Sequence, residues 1–157
     1  MATAELAYHE MTIICIQHDP LGALAKIYRN WHNRAVKSLF WIGSSLEDLR
    51  AFPVDVKQIM GYALYLAQCG EKHSDTKPLR GFTGAGVLEI VDDFDGNTYR
   101  AIYTVRFTEA VYVLHAFQKK AKRGIATPKR ELDLIRARLK QAERIHAEHV
   151  QQENEGI

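Results

Sequence analysis

Between Thr98 and Lys120, cationic and aromatic side chains are interleaved with β-branched ones: Tyr99, Arg100, Ile102, Tyr103, Val105, Arg106, Phe107, Val111, Val113, His115, Phe117, Lys119 and Lys120. Guanidinium and ammonium groups bind phosphate oxygens, the guanidinium as a planar fork. A histidine can exchange a proton near neutral pH. Aromatic rings can stack on an unpaired base. Chemistry of this kind suits a polyanion held on a small sheet with cations on one face.

The charge distribution supports this. From Lys77 to Arg130 there are ten Lys/Arg and five Asp/Glu, and residues 119–130 hold six cations and no acid. Such a block is the footprint expected for a phosphate backbone, although a charge run alone is more often a solvated loop. The net charge of +2, 46% hydrophobic and 25% charged content are ordinary for a soluble domain. No apolar run approaches the roughly 18 residues of a membrane span, and no secretory signal pattern opens the chain. Cys15 and Cys69 are too few and too far apart for a disulfide framework or a metal site. A reducing cytoplasm is therefore expected, with no cofactor and no metal.

The elements that must carry these residues follow from pattern. Residues 37–43, an apolar run closed by Gly43, predict a buried strand. Ser44 or Ser45 then caps a short helix, with Ser45 and Asp48 approximating a capping box, and Pro53 ends it. Val56, Ile59, Met60, Ala63, Leu64 and Ala67 form one stripe of a second helix that stops at Gly70. Glu71–Thr76 is a polar loop. The glycines at 81, 84 and 86 lack the Gly-Lys-Ser/Thr ending of a nucleotide loop. Val87–Val91 is a strand, Asp92–Asn97 a hairpin loop, and two strands around Thr108–Glu109 complete a meander. Thr127-Pro128 restarts the chain as a helix with its stripe running from Leu132 to Ile145 and a polar, fraying end. Residues 1–36 suggest a short strand at 12–16 and a helix near 20–34, with no chemistry assigned. The order strand–helix–helix–strand–strand–strand–helix is an α+β pattern.

Taken together, the strand and helical hairpin, then "KPLRGFTGAGVLEI", "YRAIY" and "VYVLHAFQKKAKRGIATPKRELDLIRAR", resemble the RelE/ParE superfamily of type II toxins, most nearly its phage-type HigB branch. The resemblance covers about residues 37–145. It implies a small, twisted, mostly antiparallel sheet with a helical hairpin on one side, a C-terminal helix, and basic residues lining a concave face. The expected division is a 1–36 extension, a toxin-like domain over 37–150 and a flexible tail at 151–157. The resemblance further implies a cognate helix-turn-helix antitoxin as partner, with operator DNA reached only through it. Active RelE- and HigB-like members cleave mRNA on the ribosome, whereas ParE-like members act on DNA gyrase.

Cleaving RNA without a metal requires a deprotonated 2′-hydroxyl, charge stabilisation at the phosphate, and a proton for the leaving oxygen. The candidate catalytic set is Arg100, Arg80, Lys119, Lys120 and His115. Arg100 stands where RelE-like toxins keep a cation, and its alternative is a cross-strand salt bridge. Arg80 could face the same hollow or be a solvated loop charge. His115, by strand parity, shares a face with Val111 and Val113, which suits a hydrogen-bonded core histidine at least as well as an acid or base. Lys119 and Lys120 match the family's basic exit. Lys77, Lys122, Arg123, Lys129 and Arg130 are candidate RNA-backbone contacts. Glu89 could be a base, or an exposed partner of Arg100 or Arg106. Tyr99 and Tyr103 could stack a base but more often such residues are core. Arg136, Arg138, Lys140 and Arg144 form a charged helical face, solvated or antitoxin-binding. The expected activity is ribosome-dependent mRNA cleavage; the alternatives are a gyrase inhibitor or a phage-derived remnant that only binds its antitoxin.

Overall fold

A computed structural model describes residues 36–119 and 127–155. The strand and helix expected within residues 1–36, and the cations Lys120, Lys122 and Arg123, lie outside the described residues. The elements are β1 (Ser38–Trp41), α1 (Ser45–Arg50), α2 (Val54–Gln68), β2 (Thr76–Pro78), β3 (Val87–Phe94), β4 (Asn97–Thr104), β5 (Ala110–Lys119) and α3 (Lys129–Glu155). The fold is α+β. Five strands form one mixed sheet in the order β1-β5-β4-β3-β2, with β1 parallel to β5 and every other pair antiparallel.

Helices cover both faces. Leu49 of α1, Phe52 of the link after it, and Val56, Met60, Ala63 and Leu64 of α2 pack on Ile90, Tyr99, Tyr103, Val111 and Val113. On the other face Ile135, Leu139 and Ala142 of α3 pack on Ile102, Tyr112 and Leu114, joined by Leu79 and Phe82 from the loop after β2. The face expected to be an open, basic hollow is thus crossed by α3, because the apolar stripe of that helix must be buried somewhere. No helix among the described residues is long and apolar enough to cross a membrane.

Local chemistry explains most boundaries. At the end of α2, Glu71 N–H donates to Leu66 and Gly70 N–H to Ala67, with Gly70 at φ +77°. These are the two closing bonds of a Schellman motif, which glycine adopts without strain. The β3–β4 hairpin turns on Asp95 and Gly96, both at positive φ, so the strands run further than the expected loop at 92–97. The start of α1 differs from the expected cap. Ser44 Oγ donates to the Asp48 carboxylate at 2.7 Å, and Ser45 Oγ donates across to the Val113 carbonyl at 3.1 Å. Ser45 is spent on holding the helix to β5 rather than on an orphan amide.

Candidate functional site

The sheet register builds a polar row beneath the first turns of α3. Lys77 on β2 pairs with Glu89 on β3, Glu89 with Ile102 on β4, and Ile102 with His115 on β5. Directly paired residues share a face, so Lys77, Glu89 and His115 all lie on the α3 side. Arg100, two positions before Ile102 on β4, lies on that side too. Its Nη1 donates to Glu89 Oε2 at 2.5 Å and to Thr127 Oγ1 at 3.2 Å. Arg100 is 4% and Glu89 5% exposed, so this is a buried ion pair. It is the cross-strand alternative anticipated for Arg100, moved indoors. Lys77 Nζ reaches Glu89 Oε1 at 4.0 Å from a half-exposed position. The carboxylate is therefore bracketed by two cations, which offsets the cost of removing it from water.

His115 corrects the parity argument. The β4–β5 register shifts between Ile102 and Tyr103: Ile102 pairs with His115, and Tyr103 with Val113. Leu114 is the extra residue of a bulge, and one inserted residue inverts the alternation beyond it. His115 therefore sits with Tyr112 and Leu114, not with Val111 and Val113. Its Nε2 is 2.6 Å from Glu131 Oε2, and its Nδ1 is 3.0 Å from Arg138 Nη1. A guanidinium only donates, so Nδ1 accepts and Nε2–H donates to the carboxylate. Both ring nitrogens are engaged by α3, and the ring stacks on Phe117 at 5.1 Å.

Arg138 holds this corner together. Besides His115 it donates to the Leu114 carbonyl at 3.0 Å and to Ser44 Oγ at 2.8 Å. The guanidinium lies so close over the β1–α1 turn that a Cβ on Gly43 would stand 2.9 Å from Nη2. Neither Glu131 nor Arg138 was assigned to the site from sequence. A signal was present: residues 131, 135, 138 and 142 recur at helical spacing, so both charges lie on the stripe that Ile135 and Ala142 bury.

The remaining candidates are spread around this corner. Lys119 pairs with Thr98, one step beyond Phe117 on the same face, and is partly buried. Arg80 is exposed and follows the buried Leu79, in a loop whose Phe82 lies 5.3 Å below the Arg136 guanidinium. Lys129 and Arg130 are exposed on the first turn of α3. Tyr99 and Tyr103 point the other way, into the α1–α2 core, where Tyr99 meets Phe52 edge-on at 5.0 Å. Burial pushes the Tyr103 phenol above its ordinary value. Asp92 pairs with Tyr99 and so lies on the same face, that of α1 and α2. There partial burial, then the charges of Asp75, Asp93 and Asp55, push the Asp92 carboxyl up.

A mixed five-stranded sheet between a helical pair and a long C-terminal helix, with its ionic groups gathered on the C-terminal-helix face, defines a RelE-like α+β protein. Residues 47–140 match the family model described as phage derived protein Gp49-like (DUF891), and the chain belongs to that RelE-like, toxin-type family. No curated protein and no solved structure matches the chain.

Proposed function

We propose that this chain is the toxin of a type II toxin–antitoxin pair, nearest to the HigB branch, and that it inhibits translation by cutting mRNA engaged on the ribosome. The observation that carries the reading is the Glu89–Arg100 pair, flanked by Lys77 and with His115 and Lys119 on the same sheet face. Arg100 is the group for the scissile phosphate. A phosphate oxygen that takes over its guanidinium leaves Glu89 as the nearby carboxylate able to accept the 2′-hydroxyl proton. The Lys119 ammonium gives a proton to the leaving 5′-oxygen, Lys120 and Arg80 add positive potential as charge develops, and Lys77, Lys122, Arg123, Lys129 and Arg130 track the RNA backbone. The partner is a helix-turn-helix antitoxin, with operator DNA contacted through it, and the place of action is the cytoplasm.

One observation favours a second reading, binding without cleavage. Arg100 Nη1 and both nitrogens of His115 are already engaged within the chain. A gyrase inhibitor or an antitoxin-binding remnant would need no more.

The test is induced expression of the wild type beside Arg100→Lys, which keeps a charge opposite Glu89 but removes the planar fork. Codon-phased new 5′ ends in cellular mRNA, reduced about a hundredfold in the variant, are expected. Intact messages with a DNA-damage response would point to gyrase. Absence of any growth defect would point to the remnant.

A further inference from the structure

Thr127, two residues before α3, sits on Arg100 Nη1 at 3.2 Å, and the start of α3 is tied down differently from the rest of the helix. From Ile135 onward α3 is anchored by fully buried apolar residues and by Arg138 on Leu114 and Ser44. Before Ile135, the ties from α3 and its lead-in to the sheet include Thr127 Oγ1 on Arg100 and Glu131 Oε2 on His115. Lys129 and Arg130 are exposed there, Leu132 is half-buried, and the Glu131 side chain is 23% exposed. The first turn can therefore lift while the apolar seam beyond it stays closed.

We infer that residues 127–131 form a strap over Arg100, that the His115–Glu131 pair is its latch, and that a phosphate reaches Arg100 only when the latch opens. This rests on the reading of Arg100 as the phosphate contact. Two details fit a latch better than a fixed joint. The His115 ring is held from its far side by Arg138, so it presents Nε2–H to α3 whether or not Glu131 is there to accept it. Glu131 belongs to the helical turn that also carries Lys129 and Arg130, cations that would follow the strap and meet the RNA backbone once it moved. Apparent affinity for RNA is then the intrinsic affinity scaled by the open fraction, so weakening the latch tightens binding.

The experiment measures binding of the full chain to a labelled, 2′-O-methylated single-stranded RNA, which cannot be cleaved through its 2′-oxygen. Glu131→Ala is compared with Asp133→Ala, which removes the same charge from an exposed site on the same helix. Each is also made together with Arg100→Lys. The expected result is that Glu131→Ala binds about tenfold tighter, the scale of one charge-assisted hydrogen bond. Asp133→Ala should change affinity less than about threefold. The gain should vanish with Arg100→Lys. Amide exchange should quicken at residues 132–134, whose N–H groups make the first bonds of α3, and stay slow at 139–142. If Arg100→Lys weakens binding in the Glu131→Ala background but Glu131→Ala itself binds no tighter than Asp133→Ala, the strap is refuted and the phosphate role of Arg100 stands. Unchanged exchange at residues 132–134 refutes the latch in the same way. If Arg100→Lys alters binding in neither background, the phosphate role of Arg100 fails and the strap with it.

Discussion

Replacing Arg100 by Ala strands the Glu89 carboxylate inside the protein. Glu89 is 5% exposed and its 2.5 Å partner would be gone. Removing one member of a buried pair costs about 3–5 kcal/mol, because the survivor keeps its desolvation penalty and loses its compensation. Lys77 would remain 4.0 Å from the other carboxylate oxygen. It is half exposed and screened by water, so it recovers at most about 1 kcal/mol. The expected loss for Arg100→Ala is therefore about 3 kcal/mol, or about 6–12 °C in midpoint for a chain of this size. Glu89→Leu takes from Arg100 the carboxylate that balances its buried charge, while Nη1 keeps its 3.2 Å bond to Thr127 Oγ1. It should be destabilised by a similar amount.

Removing both charges together should be far milder. Glu89→Leu/Arg100→Met replaces the pair with apolar groups of similar volume, a change that is often neutral. Urea unfolding of the wild type, Glu89→Leu, Arg100→Met and the double variant closes a cycle, with an expected coupling of about 3 kcal/mol or more. A loss under about 1 kcal/mol for Arg100→Ala, or a double variant as unstable as the sum of the singles, would refute a buried, mutually dependent pair. The result also decides how the activity test is built. An inactive Arg100→Ala that is partly unfolded says nothing about phosphate, which is why Arg100→Lys is the informative variant.

Two further outcomes follow from local geometry. Gly43 and Gly96 both have positive φ, but a Cβ on Gly43 would strike the Arg138 guanidinium while one on Gly96 meets open space; Gly96→Ala should cost about 1 kcal/mol of backbone strain and Gly43→Ala measurably more, as read by thermal unfolding. Asp92 has its folded pKa raised by burial first and then by Asp75, Asp93 and Asp55. A raised carboxylate pKa means the folded state holds the proton more tightly, so ionisation of Asp92 costs stability above the folded pKa and the cost disappears as pH falls below the ordinary value of 3.8. Asp92→Asn should therefore raise the melting temperature at neutral pH, with the gain shrinking on acidification; a gain that persists or grows in acid would contradict this.

Much of the fold was legible because local chemistry and burial agree. The α2 stripe, its glycine stop, the Asp95-Gly96 turn and the Ile135–Leu139–Ala142 seam all follow from period and turn residues. β2 was not legible. It is a three-residue edge strand ending on Pro78, and its place comes from pairing with β3 rather than from any period of its own. The length of α3 is hidden in the sequence for another reason. Its stripe passes from aliphatic residues to histidines, with His146 3.2 Å from the Tyr112 hydroxyl and His149 5.3 Å from the Phe40 ring. A count of aliphatic residues ends at Ile145, whereas the helix continues to Glu155.

The site itself turned on one residue that period-two reading cannot supply. Had β5 alternated without interruption, His115 would face Val56, Met60 and the rest of the apolar α1–α2 core, where its ring nitrogens would find little to bond. The bulge at Leu114 turns the strand so that Val111, Val113 and Ala116 serve one core while Tyr112, Leu114, His115 and Phe117 serve the other. It also leaves the Leu114 carbonyl for Arg138, which in turn fixes His115. The polar corner of His115, Glu131 and Arg138 is thus a consequence of a single added residue. A strand that must contact two different cores along its length needs such a break, and its position is set by where the first polar side chain, His115, meets its partners.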